Sequence, residues 1–473
     1  MNATYSLDIA NSKEWQDPDW LNFARDRLVK MRAKRSPYDS AWNEYETQTS
    51  AVSFYDNDGN LQVNVPLEKT LREIYMGRTN GKCKFDIVPD GQTDIQQLEP
   101  SKYAMNFFLD GNGKDTFWKE NKSLRERKAT YGSSIFFTGP RRYRDENWKI
   151  KDDADIQSGT DLLDESNFEK VVNETWFFFP QCIHPKDFFI DDGAYGQPDV
   201  QYAEDCIFKE KLTASEFNAR YGDNKAFQNV EQVTYWNDVN PKNLNDSSID
   251  VRRVILYHYF HRITKKYLIM ANEQVLIYNG KYLYNDGKLP FVNCQHYSRD
   301  DRFWGEGIPE RVQYLKVYKS EIYQDILTGA AMSSGIHLLT GNDYQIGQDW
   351  TVGGRGINIW RTTGGAEHVQ PMNTSPNLGY FAQVLALLDK QVVVDTGIDP
   401  LAQVEQQADT LGQQELLEAN KSVRNSSVDE NYNIALDEAL TMMLSRIQQF
   451  APALLKETIR GKDGKIVVGL ERT

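Results

Sequence analysis

The sequence predicts an α+β chain, on three observations. Between about residues 170 and 300, short runs rich in Val, Ile, Phe, Tyr and Trp alternate with turn-rich stretches such as Asn237-Asp238-Val239-Asn240-Pro241, a strand texture. From Pro309 onward, apolar residues such as Val312, Leu315, Ile322 and Ile326 recur at helical spacing. The glycine-punctuated segment 336–370 interrupts that helical part with short apolar pieces.

In chain order, residues 17 to 48 read as a helix, with an aspartate near its start and Trp20, Phe23, Leu28 and Met31 as apolar marks. Pro37 is expected to break or kink it, because proline lacks the backbone N–H a helix interior needs. Between Asp19 and Ser36 the balance is six basic against two acidic residues. That run reads as a solvated helix face, or as a contact with acidic protein or nucleic acid. A hairpin is predicted over 54–65 around Asp56-Asn57-Asp58-Gly59-Asn60, then helices over 66–75 and 115–129. Strands follow at 133–137, 171–179, 188–191, 252–261, 266–270 and 274–278. A short helix at 213–221 opens with Thr213 and Glu216 at capping-box spacing.

The C-terminal half is then helical at 309–333, made of short strands and turns from Ile336 to Gln370, helical at 375–397, irregular to Leu411 and helical at 412–450. Pro309 and Pro376 suit the first turn of a helix, where the N–H has no partner. The last run would measure roughly 55–60 Å at 1.5 Å per residue, a length that needs packing partners along it.

Length and composition bound the class. The chain has 473 residues and 40% hydrophobic content, enough for several packed cores. Its formal net charge is −14, the opposite of what tight phosphate binding requires. Four cysteines (Cys83, Cys182, Cys206, Cys294) are too few for a disulfide framework and fit a reduced compartment. The first residues carry no signal-peptide pattern, and no apolar run approaches a membrane span.

Chemical motifs are sparse. Cys294 and His296 would share a strand face, whereas His258 and His261 would point to opposite faces, so converging zinc ligands are not expected. Asp110–Asp115 begins like a calcium loop but lacks the glycine and glutamate that the loop requires. Gly353-Gly354-Arg355-Gly356 has no phosphate-loop context. No catalytic residue, cofactor or metal ligand is therefore expected.

Several motifs fall in a recognisable order. They are Tyr131-Gly132, His184-Pro185-Lys186-Asp187 with Asp191, Leu289-Pro290-Phe291-Val292 with Gly305 and Gly307, and Thr396-Gly397-Ile398-Asp399-Pro400. With the helix–insert–helix–loop–long-helix order, the chain resembles the portal proteins of tailed double-stranded DNA bacteriophages, the head-to-tail connectors. The resemblance implies a wing domain over 1–306, a first stem helix over 307–333 and a small α/β clip over 334–374. It implies a second stem helix over 375–397, a tunnel loop over 398–412 and a spine helix over 413–450. A short crown or truncated C-terminus would occupy 451–473. Two departures stand out: Thr410-Leu411-Gly412, rather than the family's Thr-Ala, precedes Glu415, and little chain follows the spine.

The implied function is that of a non-enzymatic conduit for double-stranded DNA during packaging and ejection, at a capsid vertex of the virion, assembled in the host cytoplasm. Implied partners are copies of itself in a closed ring of about twelve, the DNA, the terminase motor, the major capsid protein and a tail or adaptor protein, with no membrane. The tunnel loop would present Asp399, Gln403, Glu405, Gln406, Gln407 and Asp409 to DNA, and Val384, Leu387 and Leu388 would pack at the stem seam. From Phe381 to Phe450, eleven acidic and four basic residues leave −7, a wall that repels phosphate and lets DNA slide. The alternatives are an acidic glycan-active hydrolase with a β-rich domain, suggested by ten tryptophans, or another head–tail component of the virion.

Overall fold

A computed structural model describes residues 17–50, 53–55, 61–79, 87, 95–109, 116–150, 168–194, 196, 198–222, 226–237, 252–282, 284–333, 336–341, 357–362, 370–371, 378–398, 411–450, 459–460 and 466–467. In chain order its elements are α1 (Asp17–Ser50), β1 (Ser53–Tyr55), β2 (Leu61–Val63), α2 (Leu67–Arg78), α3 (Ile95–Leu109) and α4 (Thr116–Tyr131). Next come β3 (Ser133–Phe137), β4 (Arg141–Ile150), β5 (Phe168–Phe177), β6 (Gln181–Ile183), β7 (Phe188–Ile190), β8 (Asp205–Thr213) and α5 (Ala214–Phe217). Then β9 (Trp236–Asn237), β10 (Arg252–His261), β11 (Lys266–Ala271), β12 (Val275–Lys281) and β13 (Phe291–Gln295) lead to α6 (Ile308–Ser333). The remainder is β14 (Ile336–Gly341), β15 (Ile357–Thr362), β16 (Gln370–Pro371), α7 (Leu378–Thr396), α8 (Leu411–Phe450), β17 (Ile459–Arg460) and β18 (Ile466–Val467). Helix and sheet are mixed, as an α+β chain requires.

Two compact units divide the chain. The first takes Met1–Ala41, Asn80–Gly307 and Val428–Thr473; the second takes Trp42–Thr79 and Ile308–Ser427. In the first, β12-β11-β10-β8-β7 form an antiparallel sheet with β9 paired to the start of β10. One face of that sheet buries Phe189, Ile207, Tyr257, Tyr259, Leu268 and Met270 against Trp20, Ala24, Leu28 and Met31 of α1. The opposite face packs Leu256, Ile269 and Ile277 on Phe217 and Tyr221. The alternation along each strand assigns each residue to one of the two cores. Thr213 caps α5 with Glu216 in the reciprocal box that the sequence predicts.

A second antiparallel sheet, β13-β3-β6, packs with α3, α4 and the C-terminal part of α8. Phe136, Val292 and Cys294 meet Leu124, Leu436, Ala439 and Met443 there. Arg446 of α8 is fully buried, its guanidinium 3.8 Å over the Tyr284 ring and 2.8 Å from Asp286. Backbone meets backbone where Gly132 lies against Gly305: a Cβ on Gly305 would stand 2.6 Å from the Gly132 carbonyl oxygen, and one on Gly307 2.6 Å from that of Thr130. Gly132 also sits at φ +83°, the left-handed region that glycine enters without strain. These three glycines belong to the motifs that carried the family resemblance, and close packing explains them.

Two strand and helix expectations change. The helix Ile95–Leu109 and the strand β4 are absent from the sequence reading, whereas β5 overlaps the strand expected at 171–179. Pro37 does not end α1. It is exposed, as is Ala33 one turn earlier, so the helical hydrogen bond that proline cannot make is lost on the solvent-exposed side of the helix. Arg35 pairs with Asp39 at 3.0 Å, and Ser40 donates to the Ser36 carbonyl, both spanning the proline.

In the second unit, α2, the β1–β2 hairpin and α7 surround α6. Ser320 and Gln324, one turn apart on α6, accept from the backbone N–H of Val65 and Val63. The insert between α6 and α7 holds a three-stranded mixed sheet, β15-β14-β16, in which β14 and β15 run parallel.

Candidate interaction site: the helix pair of the second unit

Three buried or half-buried cations on α6 bind it to its neighbours. Arg311 donates to the Asp395 carbonyl of α7 at 3.0 Å, and Lys319 pairs with Asp389 of α7. Lys316 lies 3.0 Å from Glu68 of α2, an ion pair in which both side chains are almost fully buried. Burial raises the Glu68 carboxyl above its ordinary value, against the pull of its backbone hydrogen bond and Lys316. Tyr314 donates its hydroxyl to Asp395, and that bond raises the phenol's own pKa. Arg311 with Asp395 and Lys319 with Asp389 fix α6 and α7 as antiparallel neighbours.

These contacts consume the inner arcs of both helices. At about 100° per residue, Val312, Leu315, Lys316 and Lys319 share one side of α6, and Leu385, Leu388, Val392 and Thr396 share one side of α7. The outer arcs carry apolar residues all the same. Among the described residues thirteen large hydrophobics are exposed, and eight of them lie on this one helix pair. On α6 Tyr314, Val317 and Tyr318 lie on the outer arc, while Tyr323 and Leu327 fall on the side of Lys316 and Lys319, beyond those ion pairs; on α7 Tyr380, Leu387 and Val394 lie on the outer arc. Tyr380, Leu387 and Val394 stand seven residues apart, with Val384 and Gln391 at the intervening positions. That 4-3-4-3 spacing is the seam pattern of helices that pack on other helices.

The predicted seam residues therefore separate. Leu387 is 64% exposed on the outer arc, and Val384 borders it half-buried. Leu388 is half-buried on the arc shared with Val392. The predicted DNA-facing residues Asp399, Gln403, Glu405, Gln406, Gln407 and Asp409 lie outside the described residues, as do Asp110–Asp115 and Gly353–Gly356. Tyr314, Tyr318, Tyr380 and Val394 were missed, although the heptad spacing of α7 is readable in the sequence. The ion pairs were not readable, because Lys316–Glu68 joins residues far apart in the chain.

Most of the basic run of α1, read from sequence as a solvated face or a contact with acidic protein or nucleic acid, meets acidic and carbonyl groups of its own chain. Arg27 makes a bidentate contact to Asp205 at 2.7 and 2.6 Å and also pairs with Asp191. Tyr259 donates to the same Asp205 at 3.0 Å. Burial raises the Asp205 carboxyl, opposed by Arg27; burial likewise works against the Arg27 charge, and the Asp205 and Asp191 contacts outweigh it. Arg25 and Arg32 hold the carbonyl and carboxylate of Glu273, and Arg35 donates to the Phe188 carbonyl at 2.8 Å. Arg32 and Arg35 also stack over the Phe189 ring. Four of the six basic side chains thus clamp α1 to its own sheet; Lys30 and Lys34 are exposed.

Several of the described histidines and cysteines have structural settings. His258 Nδ1 lies 2.9 Å from the Tyr267 hydroxyl and its Nε2 3.3 Å from Glu210. His261 lies 3.5 Å from Glu204, and its hydrogen bond holds that carboxyl below the usual range, against burial. Cys294 and His296 are fully buried. Burial pushes the Cys182 thiol up to about 11, which keeps it protonated and unreactive near neutral pH. Among the described residues no group of three or more His, Cys, Asp or Glu side chains converges as a metal site. No helix of the described residues is long and apolar enough to cross a membrane.

Compared with known proteins, the chain matches no family model and no curated protein.

Proposed function

We propose that this chain is a ring-forming portal protein, a conduit for double-stranded DNA in a tailed phage, with the α6–α7 pair as the stem through which copies associate. One observation carries the reading: eight of the thirteen exposed large hydrophobics among the described residues lie on this helix pair, six of them on the outer arcs, away from the α6–α7 ion pairs. A contiguous apolar surface of that kind marks an interaction site. The order of helix, small mixed sheet, returning helix and forty-residue helix supports it further. The acidic α7–α8 region would repel phosphate, so that DNA slides along the channel wall without sticking. The segment Gln403–Gln407 would brush the DNA, and the terminase motor would dock on the insert around β14–β16.

Mass and symmetry test this reading directly. Light scattering and negative-stain imaging of the purified chain are expected to show a ring of about twelve copies with a central hole. A monomer at all concentrations, in the presence and absence of capsid protein, would sink it. Deleting Gln403–Gln407 is expected to leave the ring intact and lower the amount of DNA retained in particles; loss of the ring would instead make that segment structural.

A further inference from the structure

We propose that neighbouring copies join through unlike faces: the outer arc of α6 on one copy packs, antiparallel, on the outer arc of α7 of a second copy, with Lys390 seated at Tyr318 and Glu321. The inference rests on the ring reading and adds which faces meet, in which direction and in which register.

Charge selects the pairing. Beside Tyr314 and Tyr318, the outer arc of α6 presents two exposed acids, Glu321 and Asp325. The outer arc of α7 presents one exposed charge, Lys390, flanked by Leu387 and Val394. Pairing α6 with α6 would set Glu321 and Asp325 against their own copies, and pairing α7 with α7 would oppose two lysines. Only the unlike pairing brings opposite charges to a seam whose remaining contacts are apolar. It is also the heterologous geometry, in which each copy offers one used and one unused face until a ring closes.

The register follows from the pair within one chain. There, Arg311 meets Asp395 and Lys319 meets Asp389, so Tyr314 stands within a turn of Val394, and Tyr318 within a turn of Lys390. Rotation about a ring axis keeps every copy at the same height. When the helix pair runs along that axis, α6 of one copy meets α7 of the next at the same levels. The Lys390 stem then crosses the Tyr318 ring and its ammonium reaches Glu321, a cation–π and ion-pair contact together.

Charge exchange tests the pairing. Lys390→Glu alone, and Glu321→Lys with Asp325→Lys, are each expected to lose the ring species in size-exclusion chromatography with light scattering. All three substitutions in one chain are expected to restore it, because the partner is the same chain. Circular dichroism separates lost assembly from lost fold. An independent arm uses Tyr314→Cys with Val394→Cys, which is expected to give a reducible ladder of covalent oligomers that neither single variant gives. If both charge variants keep the wild-type ring mass, or the triple variant fails to restore it and no ladder forms, the pairing is overturned while the ring reading stands. A wild-type chain that never associates overturns the ring reading itself.

Discussion

The N-terminal helix and the α6–α7 pair both use cations to bind acidic groups of their own chain, yet they leave opposite surfaces behind. On α1, Trp20, Ala24, Leu28 and Met31 are buried under the same sheet that receives Arg25, Arg27, Arg32 and Arg35. Apolar and charged residues serve one internal interface there, and the surface that remains is mostly polar. On α6 and α7 the cations Arg311, Lys316 and Lys319 face inward, while Tyr318, Tyr380 and Leu387 face outward. Charge spent inside the chain with apolar surface left outside distinguishes the pair from α1, in a way that the charge count of either helix does not.

That contrast can be broken at its strongest point first. Asp205→Ala leaves Arg27 partly buried without its bidentate partner and is expected to cost about 3–5 kcal/mol, read as a lower urea midpoint. Preserved stability would mean that α1 is held by its apolar face alone. Val392→Ala, on the inner arc of α7, is expected to cost about 2 kcal/mol through the cavity it leaves. A double-mutant cycle on Lys319→Met and Asp389→Asn should give a coupling of about 1 kcal/mol, because the contacting pair is shielded but not sealed from water. Zero coupling would assign the helix pair's cohesion to packing.

A smaller effect is pH-dependent. Glu204 has its carboxyl held below the ordinary 4.5 by the hydrogen bond from His261. A depressed folded pKa means that the stabilisation is complete above the ordinary value and is lost as pH falls through the folded one. The stability difference between the wild type and Glu204→Gln is therefore expected to hold above about pH 5 and to shrink toward pH 3. A difference that grows on acidification would contradict that setting. Smallest of all, Leu387→Ala is expected to change chain stability by no more than about 0.5 kcal/mol while weakening association. A large loss of stability would place Leu387 in an internal core.

Much of this was legible from residues close in sequence. The capping box at Thr213 and Glu216, the β10 strand over Arg252–His261 and the long C-terminal helix rest on local pattern, which fixes backbone conformation through side chains a few positions apart. Strand β4 was not legible, since Arg141–Ile150 lacks the apolar alternation that marks a strand; its pairing with Phe168–Phe177, which overlaps the strand expected at 171–179, supplies the hydrogen bonds instead. For the candidate site, the sequence by itself determined the heptad Tyr380, Leu387 and Val394 and the glycines at 132, 305 and 307. Only the tertiary structure decided that Lys316 and Lys319 turn inward to Glu68 and Asp389, that the arginines of α1 close onto Asp205 and Glu273, and that the heptad faces outward. The reason is physical: which way an amphipathic helix faces depends on partners that lie from about seventy to more than two hundred residues away, and no local spacing encodes them.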